Sequence, residues 1–452
     1  MQTRDVSSLI AEDRSALLHP LYHPADHVTP HVWVKGRGAV LTDADGREYI
    51  DGLACMWNVN IGHGRRELAE AAAEQMATLA FCTNYVGSSN IPAIKLAARL
   101  KEIAYPNMAA TYFASGGAEA NESAFKTARF FWKAKGQPNK IKIISRQCAY
   151  HGLSLAAMSA TAVPGFAKMF EPRVPNFIHT ATAYPYRQEG MKPGETVGQT
   201  AARQLEETIL QEGPDTVAAV IAEPVQGAGG IIVPPDDYFP LVRQICTKHN
   251  VLFIADEVIT GFCRTGDWFA LKRWGVQPDI MAFAKGITSG YQPLGGIMIS
   301  QPILDAMLSV PYGDRWMHAY TYSGHATCCA VGLRNLEIME KEGLAERAAR
   351  MGTRLLAGMK TLMEFKAVGD VRGLGLMVGV EMVADRATKT PFDPAQKIID
   401  KVRLEMESRG VYTRAMRNVL GFAPPLVITE AQVDQLVEAM RGALQAVVPE
   451  KV

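Results

Sequence analysis

What this chain lacks narrows its class first. No apolar run reaches the roughly 18 residues that a membrane-spanning helix requires. Neither sign of charge is in excess: 47 Lys and Arg stand against 46 Asp and Glu, so the basic footprint of a nucleic-acid-binding protein is missing. None of the seven cysteines forms a CxxC, and their number is odd, which argues against a disulfide framework and against a zinc site of the usual spacing. The first twenty residues, MQTRDVSSLIAEDRSALLHP, carry acids where a secretory signal would be apolar. There is no internal repeat and no low-complexity linker. A soluble, reduced, cytoplasmic protein is expected, binding neither nucleic acid nor membrane and holding no metal.

What is present is ordinary globular composition, 48% hydrophobic and 21% charged. The 452 residues are enough to bury a large core. The segment up to about Val34, rich in His and Pro, reads as irregular. AVLTDADGREYID (39–51) reads as a hairpin turning at Asp45-Gly46, and from about Arg66 the pattern becomes helical. The middle of the chain then alternates strands and helices. ATYFAS (110–115), KIKIIS (140–145), VAAVIAEP (217–224), VLFIADE (251–257) and IMAFAK (280–285) are strand candidates, and 117–136 is a helix with Ala120, Ala124, Phe125, Ala128 and Phe131 on its apolar face. That alternation predicts a mainly parallel sheet between helices. GGIMIS (295–300) follows its predecessor too closely for a helical crossover and should run antiparallel to it.

After about Cys328 the texture changes. Helical patterns over 326–366, broken near Gly343, and over 394–409 flank a strand-like GLMVGVEMV (375–383), and a last helix covers about 429–447. The expected organisation is α/β: an N-terminal segment (1–60) contributing to a small domain, a large domain (61–327), and a smaller α+β domain (328–452). GLGLMVG (373–379) partly imitates a dinucleotide fingerprint, but strand pattern runs through its glycines and no helix follows, so that reading fails its context.

Four places carry candidate chemistry. In SGGAEAN (115–121), between strand and helix, glycines let backbone approach an anion and the helix start supplies free N–H groups, with Gly117 and Ala118 as the donors; a plain turn is the bland alternative. AEPVQG (222–227) and IADEVITG (254–261) each set a carboxylate at the C-terminal end of an apolar strand, the edge where open α/β sheets bind ligands. Asp256 should be buried and needs a partner, although a structural ion pair would satisfy that equally. In MAFAKGITSGYQPLGG (281–296), Lys285 ends a buried strand. Removed from water, its amine tends to lose its proton and becomes a nucleophile toward carbonyls; otherwise it snorkels to the surface. A phosphate cradle, a buried acid and a buried lysine on one sheet edge together suit pyridoxal 5'-phosphate (PLP), whose ring is an electron sink.

From about His19 to Leu444 the chain resembles class III PLP-dependent aminotransferases of fold type I, and within them the omega-amino acid or amine–pyruvate transaminases. The resemblance rests on IDGLACMWNVNIGHG, SGGAEANESAFK, AYHGLS, EPVQGAGG, DEVITGFCRTG, AKGITSGYQPLG and YTYSGHATCCA. It implies a seven-stranded, mainly parallel sheet and a ping-pong reaction, through pyridoxamine phosphate, that carries an amino group from an amine or omega-amino acid to pyruvate. It implies Lys285 as the Schiff-base lysine, Asp256 as the pyridinium partner, Tyr150 stacked on one ring face and Val258 on the other. Gly117 and Ala118 would hold the phosphate, Glu223 would lie near the cofactor, and Thr321 would reach the phosphate of a neighbouring subunit in a homodimer or dimer of dimers. Where ornithine and GABA aminotransferases carry a gating glutamate and a glutamine, this chain has Ala228 and Ile259, which makes the pocket more apolar. Trp57 and Tyr85 would add aromatic walls, Tyr85 from the partner chain. Arg414 would bind a substrate carboxylate and swing away for apolar amines; the alternative is a surface arginine, the role otherwise left to Arg417. Another PLP outcome, decarboxylation-dependent transamination or racemisation, stays open, while a nicotinamide dehydrogenase or a non-catalytic binding protein fits less well.

Overall fold

The computed structural model describes residues 6–27 and 30–452. At its centre lies a seven-stranded sheet in the order Met108–Ala114, Gly295–Ser300, Ile280–Phe283, Leu252–Asp256, Val217–Ala222, Lys142–Arg146, Phe177–Thr180. Gly295–Ser300 is antiparallel to both neighbours, as its short connection requires, and the other six strands point one way. The inner strands Val217–Ala222 and Leu252–Asp256 are buried at every position. Their apolar runs, with no polar alternation, reflect helices covering both faces.

Side-chain alternation divides those strands between two packing layers. Ile221, Ile254 and Ile280 meet Ala124, Phe125 and Ala128 of the helix Gly117–Ala134, whose expected apolar face is buried. Val220, Phe253 and Met281 meet Leu205, Phe239 and Val242 on the other side. Sealing each aromatic contributes roughly 1.5–3 kcal/mol. Phe177–Thr180, which pattern reading did not pick out, is a four-residue edge strand, FIHT, with only Thr180 buried; it is too short and too polar to carry a periodic signal.

The hairpin forms from Val40–Asp43 and Glu48–Asp51, with Gly46 at φ +82° in the turn. It belongs to a four-stranded sheet, with Trp33–Arg37 on one side and the C-terminal Val411–Tyr412 on the other. The segment read as irregular contains the helix Val6–Ala16, which buries no residue and therefore shows no apolar stripe. Further on, Ala326–Lys341 and Leu344–Lys360 are separated by Gly343 at φ +57°. The helix Glu430–Val447 begins at a capping box of Thr429 and Gln432. The strand-like 375–383 narrows to Val378–Met382, and it pairs with Val368–Gly373 and Val419–Phe422. Gly373 and Gly375 thus turn a hairpin, which disposes of the dinucleotide reading. Among the described residues no helix is long and apolar enough to cross a membrane.

Candidate active site

The C-terminal ends of Leu252–Asp256 and Ile280–Phe283 and the start of the helix Gly117–Ala134 converge on one cavity of ≈ 660 Å³, within the range of small-molecule sites. Of the sequence-derived candidates it brings together Gly117, Ala118, Tyr150 and Glu223, and with them Asp256, Val258, Ile259 and Lys285. The first N–H groups of a helix have no intrahelical acceptor, so Gly117 and Ala118 offer donors to an anion there. A Cβ on Gly117 would stand 2.8 Å from the Val258 side chain. Only glycine lets the helix start close against the strand end.

Asp256 forms the floor. It is 3% exposed and its Oδ2 accepts from Asn121 Nδ2 at 2.8 Å and from His151 Nδ1 at 2.7 Å, while Oδ1 accepts from the Val258 N–H at 3.1 Å. An ionised carboxylate only accepts, which places the imidazole proton on Nδ1. The His151 Nε2 and Asn121 Oδ1 atoms are buried without a hydrogen-bond partner among the described residues. The adjacent acid, Glu257, points to the other face of the sheet, where Tyr105, Thr260 and the N–H groups of Ala270 and Leu271 bond it. One of the two neighbouring carboxylates serves the cavity and the other ties the fold.

Lys285 follows the strand Ile280–Phe283 in a tight 3₁₀ turn and stands at φ +45°. Such a conformation costs a non-glycine residue about 1–3 kcal/mol and persists only where its surroundings enforce it. The enforcement is visible: Asn335 Nδ2, from the helix Ala326–Lys341, donates to the carbonyls of Gly286 and Ile287 at 2.9 Å each, and Asn335 Oδ1 accepts from Ser289 at 2.7 Å. Burial pushes the Lys285 pKa below the usual lysine range, opposed by Asp256 and then Glu223. The amine is thus made easier to deprotonate.

Glu223, 3% exposed, accepts from the Tyr150 N–H at 3.0 Å and the Gly227 N–H at 2.9 Å. Burial raises its pKa, with His151 opposing and Asp256 adding to the rise. Tyr150 packs edge-on to Phe166 at 5.6 Å. Its hydroxyl pKa is raised by burial and drawn back by the Arg414 charge.

Four expected residues lie outside the cavity lining. Trp57 is 4% exposed and sits in a core cluster with Val225, Met377 and Ile259, so it backs the wall through Ile259. Arg414 is exposed at the rim with Nη1 3.0 Å from Met56 Sδ, and Arg417 lies 3.7 Å from Cys148 Sγ. Neither arginine has a carboxylate partner among the described residues. Tyr85 and Thr321 are exposed and do not line their own chain's cavity. Sequence reasoning did not single out Asn121, His151 and Asn335, although the first two stand inside SGGAEAN and AYHG.

The donor set tests a cofactor directly. An anion cradle at a helix start that glycine lets close on the strand end, a dry carboxylate braced by two side chains, and a buried amine whose pKa burial lowers suit a phosphorylated pyridine aldehyde. Comparison with known proteins agrees. The family described as Aminotransferase class-III matches residues 21–444. The chain belongs to that family: it is a class III, PLP-dependent aminotransferase of fold type I. It is similar to a thermostable (S)-enantioselective omega-transaminase of Thermomicrobium roseum, with 48% identity, a TM-score of 0.95 and coverage of 99% of this chain and 100% of that one. It is 40% identical to a diaminobutyrate–2-oxoglutarate transaminase of Halomonas elongata over 97% of this chain and 96% of the relative. A putrescine–pyruvate aminotransferase of Pseudomonas aeruginosa is 37% identical, over 91% and 89%.

Proposed function

We propose that this aminotransferase takes amino groups from amines or omega-amino acids and delivers them to pyruvate, giving alanine, in a ping-pong cycle. The observation that carries the reading is the contrast at the cavity mouth: an apolar wall at Ile259, backed by Trp57, beside an Arg414 with no acid among the described residues to hold it. Such a pocket accepts an uncharged chain or, alternately, a carboxylate. The Thermomicrobium and Pseudomonas relatives support it, whereas the Halomonas relative uses 2-oxoglutarate. A donor panel run against pyruvate and 2-oxoglutarate, with amino acid products quantified, tests it. Turnover with 2-oxoglutarate alone overturns the pyruvate assignment, and release of carbon dioxide or an inverted stereocentre points to another PLP outcome.

PLP, when bound, supplies the electron sink for the substrate carbon that carries nitrogen. Lys285 is the residue that would hold it covalently, and the same amine takes a proton from that carbon and returns one. Asp256, braced by His151 and Asn121, is the anion that keeps a pyridine nitrogen protonated, an electrostatic contribution that is large in a dry site. Tyr150 and Val258 would confine the ring, Gly117 and Ala118 would bind the phosphate, and Glu223 sets the backbone of Tyr150.

The assembly is proposed as a C2 homodimer, alone or paired into a tetramer. Tyr85 and Thr321 ride on two segments that meet on one surface: Phe81 and Tyr322 rings lie 5.8 Å apart, and Thr327 donates to the Ala80 carbonyl at 2.9 Å. Val86, Ile91 and Met317 are 92%, 67% and 72% exposed there. Exposed large apolar side chains near these two segments support an interface there, on which Tyr85 and Thr321 would serve the cavity of the other protomer. Sedimentation that finds a fully active monomer overturns the arrangement.

A further inference from the structure

Away from the PLP cavity, three potential ligands of a soft cation converge. Asp51 ends the hairpin strand Glu48–Asp51 and is 0% exposed; Cys55 lies in the turn Ala54–Trp57; His63 lies in the loop beyond. His63 Nε2 is 2.8 Å from Asp51 Oδ2, Cys55 Sγ is 3.5 Å from the same oxygen, and Cys55 Sγ is 3.8 Å from His63 Nε2. All three ligand atoms lie within 4.8 Å of one another. Zinc bonds of about 2.0 Å to oxygen and nitrogen and about 2.3 Å to sulfur imply tetrahedral edges of about 3.3–3.6 Å. The two edges at sulfur are therefore close to the required size. Only the His63–Asp51 edge must open, by about half an ångström on the same bond lengths.

The backbone holds the cluster in place. Cys55 has φ 54° and ψ −81°, and Ala54 and Trp57 also have positive φ, at 46° and 64°. These are unfavourable angles for residues with side chains. Gly36 lies against the imidazole, since a Cβ there would stand 2.7 Å from His63 Cβ and Cγ. His63 also lines a second cavity of ≈ 210 Å³ that includes Gly36, Ser289 and Tyr291. Of the three ligands, His63 is the one that borders this cavity.

We infer that Asp51, Cys55 and His63 form a three-residue site for a zinc-class divalent cation, separate from the PLP cavity. Thiolate, imidazole and carboxylate are the ligand types such an ion selects. On binding, the cation forms bonds to Sγ, Nε2 and Oδ2. The S–H bond breaks and its proton goes to solvent. The proton that His63 Nε2 donates to Asp51 Oδ2 is transferred through solvent to Nδ1, so the imidazole stays neutral, and the Asp51–His63 hydrogen bond is replaced by the two bonds to the cation. Thiolate and carboxylate together cancel the two charges of the ion, so the buried site ends neutral. An occupied site pins the turn that carries Met56 and Trp57, and through them it abuts Arg414 and Ile259.

The test is a titration of the PLP-loaded enzyme, stripped of adventitious metal, with Co(II). Tetrahedral ligand-field bands in the red, away from the cofactor's absorption, are expected at one ion per chain, and Zn(II) should abolish them by competition. Cys55→Gly removes the thiolate and relieves the positive φ, so folding is not at risk; His63→Asn removes the imidazole. Each should weaken Co(II) binding by more than about a hundred-fold, beyond the loss of an outer-sphere partner. Absence of the bands in the unaltered enzyme, or equal binding by Cys55→Gly, overturns the site and leaves Asp51 and His63 as a structural hydrogen-bonded pair.

Discussion

Asp256 and Arg414, both assigned above to the proposed reaction, stand under opposite conditions. Asp256 is 3% exposed and accepts hydrogen bonds from Asn121, His151 and the Val258 N–H. Arg414 is exposed, and the sulfur of Met56 is the contact of its guanidinium among the described residues. A charge that must stabilise an electron-rich state gains from being fixed and dry, because no reorganisation is then needed when the state forms. A charge that must meet a carboxylate in one half-reaction and avoid an apolar chain in the other gains from having no permanent partner. The floor is over-determined and the rim is left free, and the proposed dual specificity depends on that division.

The sharpest way to break the comparison is at the floor. Lys285→Ala should cut turnover by at least about a thousand-fold, because one amine both holds the cofactor and moves the proton. Mass analysis after borohydride reduction should find no cofactor on the chain; a variant that retains it and turns over normally refutes the assignment. Asp256→Asn keeps the shape and removes the charge. A loss of about a hundred- to thousand-fold in kcat is expected, with PLP still bound, and a variant within a few-fold of the parent would sink the role. His151→Phe removes one of the two side-chain donors to Asp256. A charge-assisted hydrogen bond is worth about 1.5–3 kcal/mol, so kcat should fall roughly ten- to a hundred-fold, with partial recovery in His151→Asn. An unchanged kcat would show that Asn121 alone suffices.

At the rim the effects should be smaller and selective. Arg414→Ala is expected to raise KM for pyruvate and alanine about ten-fold or more while leaving the half-reaction with an aryl-alkyl amine much less affected. Single-turnover kinetics of each half-reaction resolve this. Arg417→Ala, whose guanidinium lies against Cys148, should change either half by no more than about a few-fold, the scale of an exposed charge. Equal losses for acid and amine in the first variant, or a larger pyruvate defect in the second, would move the carboxylate-binding role to Arg417.

The sequence by itself determined what local chain physics controls. The apolar runs ending in Asp256 and Lys285, the glycine turn before the helix at Gly117 and the short link to Gly295–Ser300 set the strands, their directions and the chemistry at their ends, because periodicity and turn residues act over a few positions. The motifs around those residues carried the family. Tertiary structure alone decided which distant groups meet. Asn121 and His151 reach Asp256 from 135 and 105 positions away, and Asn335 reaches back to staple the loop after Lys285. Trp57, expected to wall the pocket, is buried in the cluster that contains Ile259. Tyr85 and Thr321 are carried on two segments that meet on one surface, and Asp51, Cys55 and His63 close into a cluster that cysteine spacing argued against. Each of these contacts depends on the order in which strands are laid into the sheets and on how loops cross them, and that order is set by the packing of the whole chain.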